Sequence, residues 1–192
     1  MSEVGAPTPE RTPTPPTSAS PGSGEFLDRL RMCAARFGAD LREGIDMPVL
    51  EVPRERWREL AEALRIDPDL RFDFCVSVTA TDEFPEEPRF RVVTHLHSHA
   101  GNERVRLRCA VSSDAPVPSL APIFPGANWM EREVFDLFGI RFEGHPDLRR
   151  ILMPEEYGWH PLRKDFPIEG IEPDRLYREW ERDRVAKRSS SG

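Results

Sequence analysis

His95, His97 and His99 alternate along one stretch of the chain, and alternation on an extended strand turns all three imidazoles to the same face. Such a set is a possible transition-metal constellation, needing a carboxylate or a water to complete it. His145 and His160 could join only if the C-terminal part folded back. The competing reading is an exposed strand face near a hairpin tip, and no HExxH-type helix accompanies the histidines. Glu131, Arg132, Glu133 and Asp136 have the composition of an acid–base group, but mixed charge on a helix equally describes a solvated or ion-paired face. Cys33, Cys75 and Cys109 are widely spaced and form no CxxC pair. That suits reduced, buried thiols and fits poorly with an iron–sulfur cluster, which needs closely spaced cysteine ligands. Gly22-Ser23-Gly24 follows no strand, so no phosphate-binding glycine loop is present. These residues predict a chain with no catalytic centre and no cofactor of its own.

The last third has a different composition. Between Ile140 and Pro167 the chain carries Pro146, Pro154, Pro161 and Pro167, a density that forbids a long helix or a central strand. The same segment holds Phe142, Leu148, Ile151, Leu152, Met153, Leu162 and several aromatics, which flexible linkers lack. Bulky anchors on an irregular, extended backbone suit a segment laid along another protein surface. A long loop packed on its own domain is the other reading. Arg149-Arg150 and Arg163-Lys164 lie beside Tyr157, Trp159 and Phe166. Arginine with buried aromatics is the composition of a binding hot spot, and the guanidinium suits bidentate contacts with carboxylates. Asp147, Glu155, Glu156 and Asp165 dilute the positive charge, so a nucleic-acid surface is a weak reading.

Secondary structure must position these groups. Phe26, Leu30, Cys33 and Phe37 predict a first helix ending at Gly38, and Trp57, Leu60, Ala61 and Leu64 a second. Short strands are expected within Ala39–Val52. Three more follow over Leu70–Ala80, Arg89–His99 and Arg104–Val111, the last two joined as a hairpin through Gly101. On the first of these, Phe72, Phe74, Val76 and Val78 are expected to share one face. An irregular, proline-rich link over Ser112–Gly126 leads to a third helix. Asn128 is expected to cap it and Glu131 to close a capping box, with Met130, Val134, Leu137 and Phe138 inward and the charged residues opposite. Gly139 supplies the stop. The predicted fold is α+β: a mixed sheet of about five strands with helices packed on one face, followed by an extended proline-rich C-terminal arm.

The expected organisation is a Pro/Thr/Ser-rich disordered arm over 1–24, an α+β domain over 25–139, and the arm and tail over 140–192. A short charged helix is expected over Glu172–Arg184, and fraying over Lys187–Gly192. The chain has 192 residues, a net charge of -7 and 32% charged residues, which argues against a general affinity for nucleic acid. No apolar run is long enough to span a bilayer and no secretory signal opens the sequence, so a soluble protein made in the cytoplasm is expected.

Three linked blocks carry a family resemblance: Glu131 to Ile140 (EREVFDLFGI), Gly144 to Arg150 (GHPDLRR) and His160 to Pro167 (HPLRKDFP). Their order and content resemble the signature of the thirty-kilodalton, or C, subunit of respiratory complex I, the NADH:quinone oxidoreductase. Pro88 to Val93 and Ala127-Asn128-Trp129 are also similar. The resemblance implies a non-catalytic structural subunit of the hydrophilic arm, peripheral on the cytoplasmic face of the bacterial inner membrane. It implies neighbours in the large quinone-site subunit and the terminal-cluster subunit. FMN, iron–sulfur clusters, NADH and quinone would be handled elsewhere in the complex. By that analogy Arg149, Arg150, His160, Arg163, Lys164 and Asp165 join Tyr157, Trp159 and Phe166 as partner contacts. Membrane-bound hydrogenases and ferredoxin- or F420-linked complexes carry a homologous subunit, which keeps that reading open beside a free-standing metalloenzyme built on His95, His97 and His99, and a generic adaptor.

Overall fold

The computed structural model describes residues 24–168 together with 179, 182 and 183. Of the arm expected over 1–24, residues 1–23 lie outside the described residues and Gly24 is helical instead; the tail expected to fray also lies outside them. So does the helix expected over Glu172–Arg184, apart from Glu179, Arg182 and Asp183, which are helical.

Helix α1, Gly24–Ala35, buries Phe26, Leu30, Cys33 and Ala34, and Gly38 ends the turn that follows at φ 64°. Strands β1, Asp40–Arg42, and β2, Val49–Glu51, form a short antiparallel pair. Pro53 then opens a 3-10 turn, Arg54–Arg56, that feeds helix α2, Trp57–Ile66. Its Trp57, Leu60, Ala61 and Leu64 are fully buried, as a helical stripe requires. Strands β3, Phe74–Asp82, β4, Phe90–Ser98, and β5, Glu103–Val111, follow as an antiparallel meander. The five strands are ordered β1-β2-β5-β4-β3, and β2 runs parallel to β5, making the sheet mixed.

Along β4 the buried residues are Phe90, Val92, Thr94, Leu96 and Ser98; along β5 they are Val105, Leu107, Cys109 and Val111. These join the helix stripes in one core, so the helices cover one face of the sheet and the other stays open. The β4–β5 turn places Asn102, not Gly101, in the left-handed region, at φ 50°. Asn tolerates that conformation through local hydrogen bonding.

Strand β3 departs from the predicted alternation. A bulge between Cys75 and Ser77 leaves Val76 without an opposite residue on β4, and the extra residue resets the faces. Cys75, Val78 and Ala80 therefore point inward, while Phe74 and Val76 are each 49% exposed. The link expected to be wholly irregular contains β6, Val117–Pro118, which pairs in parallel with β7, Phe142–Glu143. This small ladder brackets helix α3, Ala127–Phe138. Helix α3 lies against β3 at the edge of the main sheet, where the Val78 amide donates to Met130 Sδ at 3.3 Å. Between residues 144 and 168 the chain forms no helix or strand.

Candidate interaction site

Helix α3 begins without the expected cap. Turns over Leu120–Pro125 supply carbonyls to the amides of Ala127 and Asn128, so those donors need no side-chain acceptor. Gly126 holds the cap position and Asn128 lies inside the helix. Glu131, freed from a capping box, turns into the core. It accepts a hydrogen bond from the Leu120 amide and shares one with the Ser119 hydroxyl, at 2.6 and 2.5 Å. Burial raises its pKa to about 7, the Ser119 and Leu120 hydrogen bonds offsetting only part of the desolvation. His145 lies beside it, with its Nε2 3.9 Å from a Glu131 oxygen. That imidazole donates to the Asn128 carbonyl through Nε2 and accepts from the Asp147 amide through Nδ1, which fixes the tautomer with its hydrogen on Nε2.

One turn further on, Arg132 and Asp136 form a cradle for the second signature block. Arg132 stacks 4.8 Å from the Trp129 ring centroid and donates to the carbonyls of Arg149 and Arg150. Asp136 Oδ2 accepts the amides of Ile151, Leu152 and Met153 at 2.7–3.0 Å, while Oδ1 takes Arg150 at 2.6 Å. Burial pushes the Asp136 pKa up, but these donors outweigh it and hold the carboxyl below its usual range. The charged residues expected on the outer face of α3 thus include Glu131, Arg132 and Asp136, all buried. A partner was available inward for each, which periodicity alone does not reveal.

The third block closes the helix. His160 Nδ1 donates to the Asp136 carbonyl at 2.9 Å, the Leu162 amide to Leu137 at 3.1 Å, and Arg163 Nε to Phe138 at 2.6 Å. Burial lowers the His160 pKa, with Arg163 and Arg150 adding to that effect. The Lys164 amide donates to Asp82 at 2.8 Å, and its side chain is exposed. Asp165 takes two hydrogen bonds from Arg89, at 3.1 and 2.6 Å. Arg89 also forks onto Asp82 at 2.9 and 2.8 Å. Burial acts to raise the Asp82 pKa, yet its bonds from Arg89, Lys164 and Phe84 hold it at about 2.

Of the residues expected at a partner, Arg150, His160, Arg163 and Asp165 are therefore tied to their own domain. Arg149 is exposed and pairs with Asp147. Trp159 is 51% exposed. Tyr157, 6.0 Å from the Arg150 guanidinium, and Phe166 are half-buried. Asp82 and Arg89 did not emerge from the sequence, although Asp82 continues the inward parity of Val78 and Ala80 on β3.

On the histidine face each ring has its own hydrogen-bond partner, and the His97 and His99 rings meet edge to face with centroids 4.9 Å apart. His95 Nε2 accepts from Arg106 and Nδ1 donates to Ser77, both at 2.8 Å, so both ring nitrogens are engaged. His97 donates to the Glu103 carbonyl and His99 to Asp73. Among the described residues no group of three or more His, Cys, Asp or Glu side chains is placed to hold a metal ion, and the metalloenzyme reading gains nothing from this geometry. Cys33, Cys75 and Cys109 are free and buried; burial pushes Cys75 to about 11 and Cys109 to about 12. No helix among the described residues is long and apolar enough to cross a membrane.

Residues 50–172 match the family described as "Respiratory-chain NADH dehydrogenase, 30 Kd subunit". The C subunit of the NADH-quinone oxidoreductase of Roseiflexus sp. (strain RS-1) is 48% identical over 165 residues, covering 79% of this chain and 91% of that protein. The corresponding C subunit, numbered 2, of Rhizobium etli (strain CIAT 652) is 44% identical over 140 residues, 70% of this chain and 74% of that one. Among solved structures, the trypsin-resistant fragment (1-134) of Nqo5 is 32% identical. It superposes with a TM-score of 0.56 over 64% of this chain and 99% of the fragment.

Proposed function

The chain belongs to the 30 kDa subunit family of the respiratory-chain NADH dehydrogenase, and from that premise we propose that residues 149–166 are its docking segment within the complex. It is a structural subunit of the peripheral arm of NADH:quinone oxidoreductase, and its contribution to the reaction is positional. Electron transfer falls steeply with distance, so a scaffold that fixes the cluster and quinone modules affects turnover without handling an electron. The neighbours in this reading are the large quinone-site subunit and the terminal-cluster subunit, on the cytoplasmic face of the inner membrane. FMN, iron–sulfur clusters, NADH and quinone are bound by other chains.

The observation that carries the reading is an inversion of polarity along the segment. Its backbone is fastened to α3 by hydrogen bonds, while Leu152, Trp159 and Leu162 are 61%, 51% and 52% exposed, beside Trp129 at 61%. Large apolar side chains held outward on an anchored segment suit burial against a second protein. The hydrogenase-type reading draws no support from the named relatives. A tagged chain pulled from gently solubilised membranes is expected to bring down flavin, iron–sulfur and proton-channel subunits together with NADH:quinone reductase activity. Recovery alone, or with a nickel–iron hydrogenase large subunit, would overturn the assignment.

A further inference from the structure

A helix leaves its last carbonyls without partners inside the helix. In α3 the carbonyls of Asp136, Leu137 and Phe138 are all taken by residues 160–163. The geometry leaves no room for a side chain at the junction. Gly139 sits at φ 77°, and a Cβ there would collide with the Arg163 guanidinium and the His160 ring. Beyond this cap the chain is pinned again, by Lys164 N–H on Asp82 and by Asp165 on Arg89.

Apolar burial contributes little to holding this segment: no residue from 146 to 168 is fully buried, and Leu148 alone of them packs against the core. The segment's attachment depends on polar links, and those beyond residue 163, from the Lys164 amide to Asp82 and from Arg89 to Asp165, converge on one guanidinium. The Arg89 side chain is 10% exposed and the Asp82 carboxylate 2%. Arg89 also lies 5.1 Å from the ring centroids of Phe84 and Phe90, and Arg163 approaches the Phe90 ring at 5.4 Å. Asp165, 48% exposed, is the component that the segment itself contributes. A bidentate, charge-assisted pair fixes direction as well as distance.

We infer that Arg89 is the positioning residue of the C-terminal segment: through Asp82 and Asp165 it locks residues 160–166 as the cap of α3, and so sets the direction in which Trp159 and Leu162 face. That they face a neighbouring subunit rests on the function proposed above; the latch itself is a property of the isolated chain.

Asp165→Ala in the full-length chain removes the outer half of the latch and leaves the buried Arg89–Asp82 pair intact. Hydrogen exchange at the amides of Leu162 and Lys164 is expected to accelerate about tenfold, with Val92 and Leu107 unchanged. Asp165→Glu, which keeps the carboxylate, restores most of the protection. Recovery of each variant with the oxidoreductase follows the same order. Unaltered exchange over 160–166 in Asp165→Ala overturns the inference, as does a wild-type chain whose Leu162 and Lys164 amides exchange at unstructured rates. A wild-type chain that shows the latch but fails to co-purify with the complex refutes the proposed function and leaves the latch standing.

Discussion

Glu131 and Asp136 are five residues apart on one helix, and both are fully buried, yet their environments drive them in opposite directions. Asp136 collects three amides and a guanidinium, enough to stay ionised. Glu131 has one amide, one hydroxyl and a guanidinium contribution from Arg58, and its pKa rises to about 7. The folded state therefore holds a proton on Glu131 that the unfolded chain releases near its ordinary pKa of 4.5. Stability from this group is fully present below about pH 4.5 and declines as pH rises to about 7, by roughly 3 kcal/mol. Glu131→Gln is expected to flatten that slope, which urea midpoints at pH 5, 6, 7 and 8 would reveal; an unchanged slope would place the titration elsewhere. Asp136→Ala strands three amides and the Arg150 charge together, at a cost of about 3 kcal/mol. Denaturant unfolding would register that loss, and a cost below about 1 kcal/mol would mean water replaces the carboxylate. Neither role was legible in the sequence. A 3.6-residue period assigns polar residues outward by default, and the acceptor-hungry amides of Ile151, Leu152 and Met153 come from a different part of the chain.

Elements whose identity depends on their own residues were legible; those that depend on a neighbour were not. The buried stripe of α2 reads directly from Trp57, Leu60, Ala61 and Leu64, because each needs only the helical period to find the core. The β4–β5 hairpin and the mixed five-stranded sheet follow from comparable local signals. Strand β3 misleads for a definite reason: Phe74 and Val76 continue the apolar alternation of Phe72, but the bulge at Val76 moves Cys75 into their place. Single-sequence alternation has no means of marking an extra residue. Gly139 was legible as a stop, although its second constraint was hidden in His160 and Arg163. Gly139→Ala combines a left-handed alanine with a collision against both side chains. The expected cost is about 2 kcal/mol, with faster amide exchange across 160–166 before any change in the sheet. A variant as stable as wild type, with the segment still protected, would mean that the cap tolerates a shifted backbone.

At the scale of the whole molecule, two sets of apolar side chains contrast in burial. One core joins the covered sheet face to α1, α2 and α3, with Leu148 of the following segment packed against it. The second set, Trp129, Leu152, Trp159 and Leu162, remains at least half exposed. In an isolated chain these side chains contribute little, because surface substitutions usually change stability by about 0.5 kcal/mol or less. In an interface the same side chains become anchors, where truncating a buried aromatic costs about 2 kcal/mol or more. The two settings predict different phenotypes. Trp159→Ala with Leu162→Ala is expected to leave the thermal midpoint of the free chain within about 2 °C of wild type. Recovery of assembled NADH:quinone oxidoreductase should fall by about tenfold or more. The outcome to look for is this dissociation of stability from assembly. If the double variant assembles normally, the outward row is not the contact. If instead the free chain loses several degrees, Trp159 and Leu162 belong to the fold, and the segment from 149 to 166 would be part of the domain rather than its docking surface.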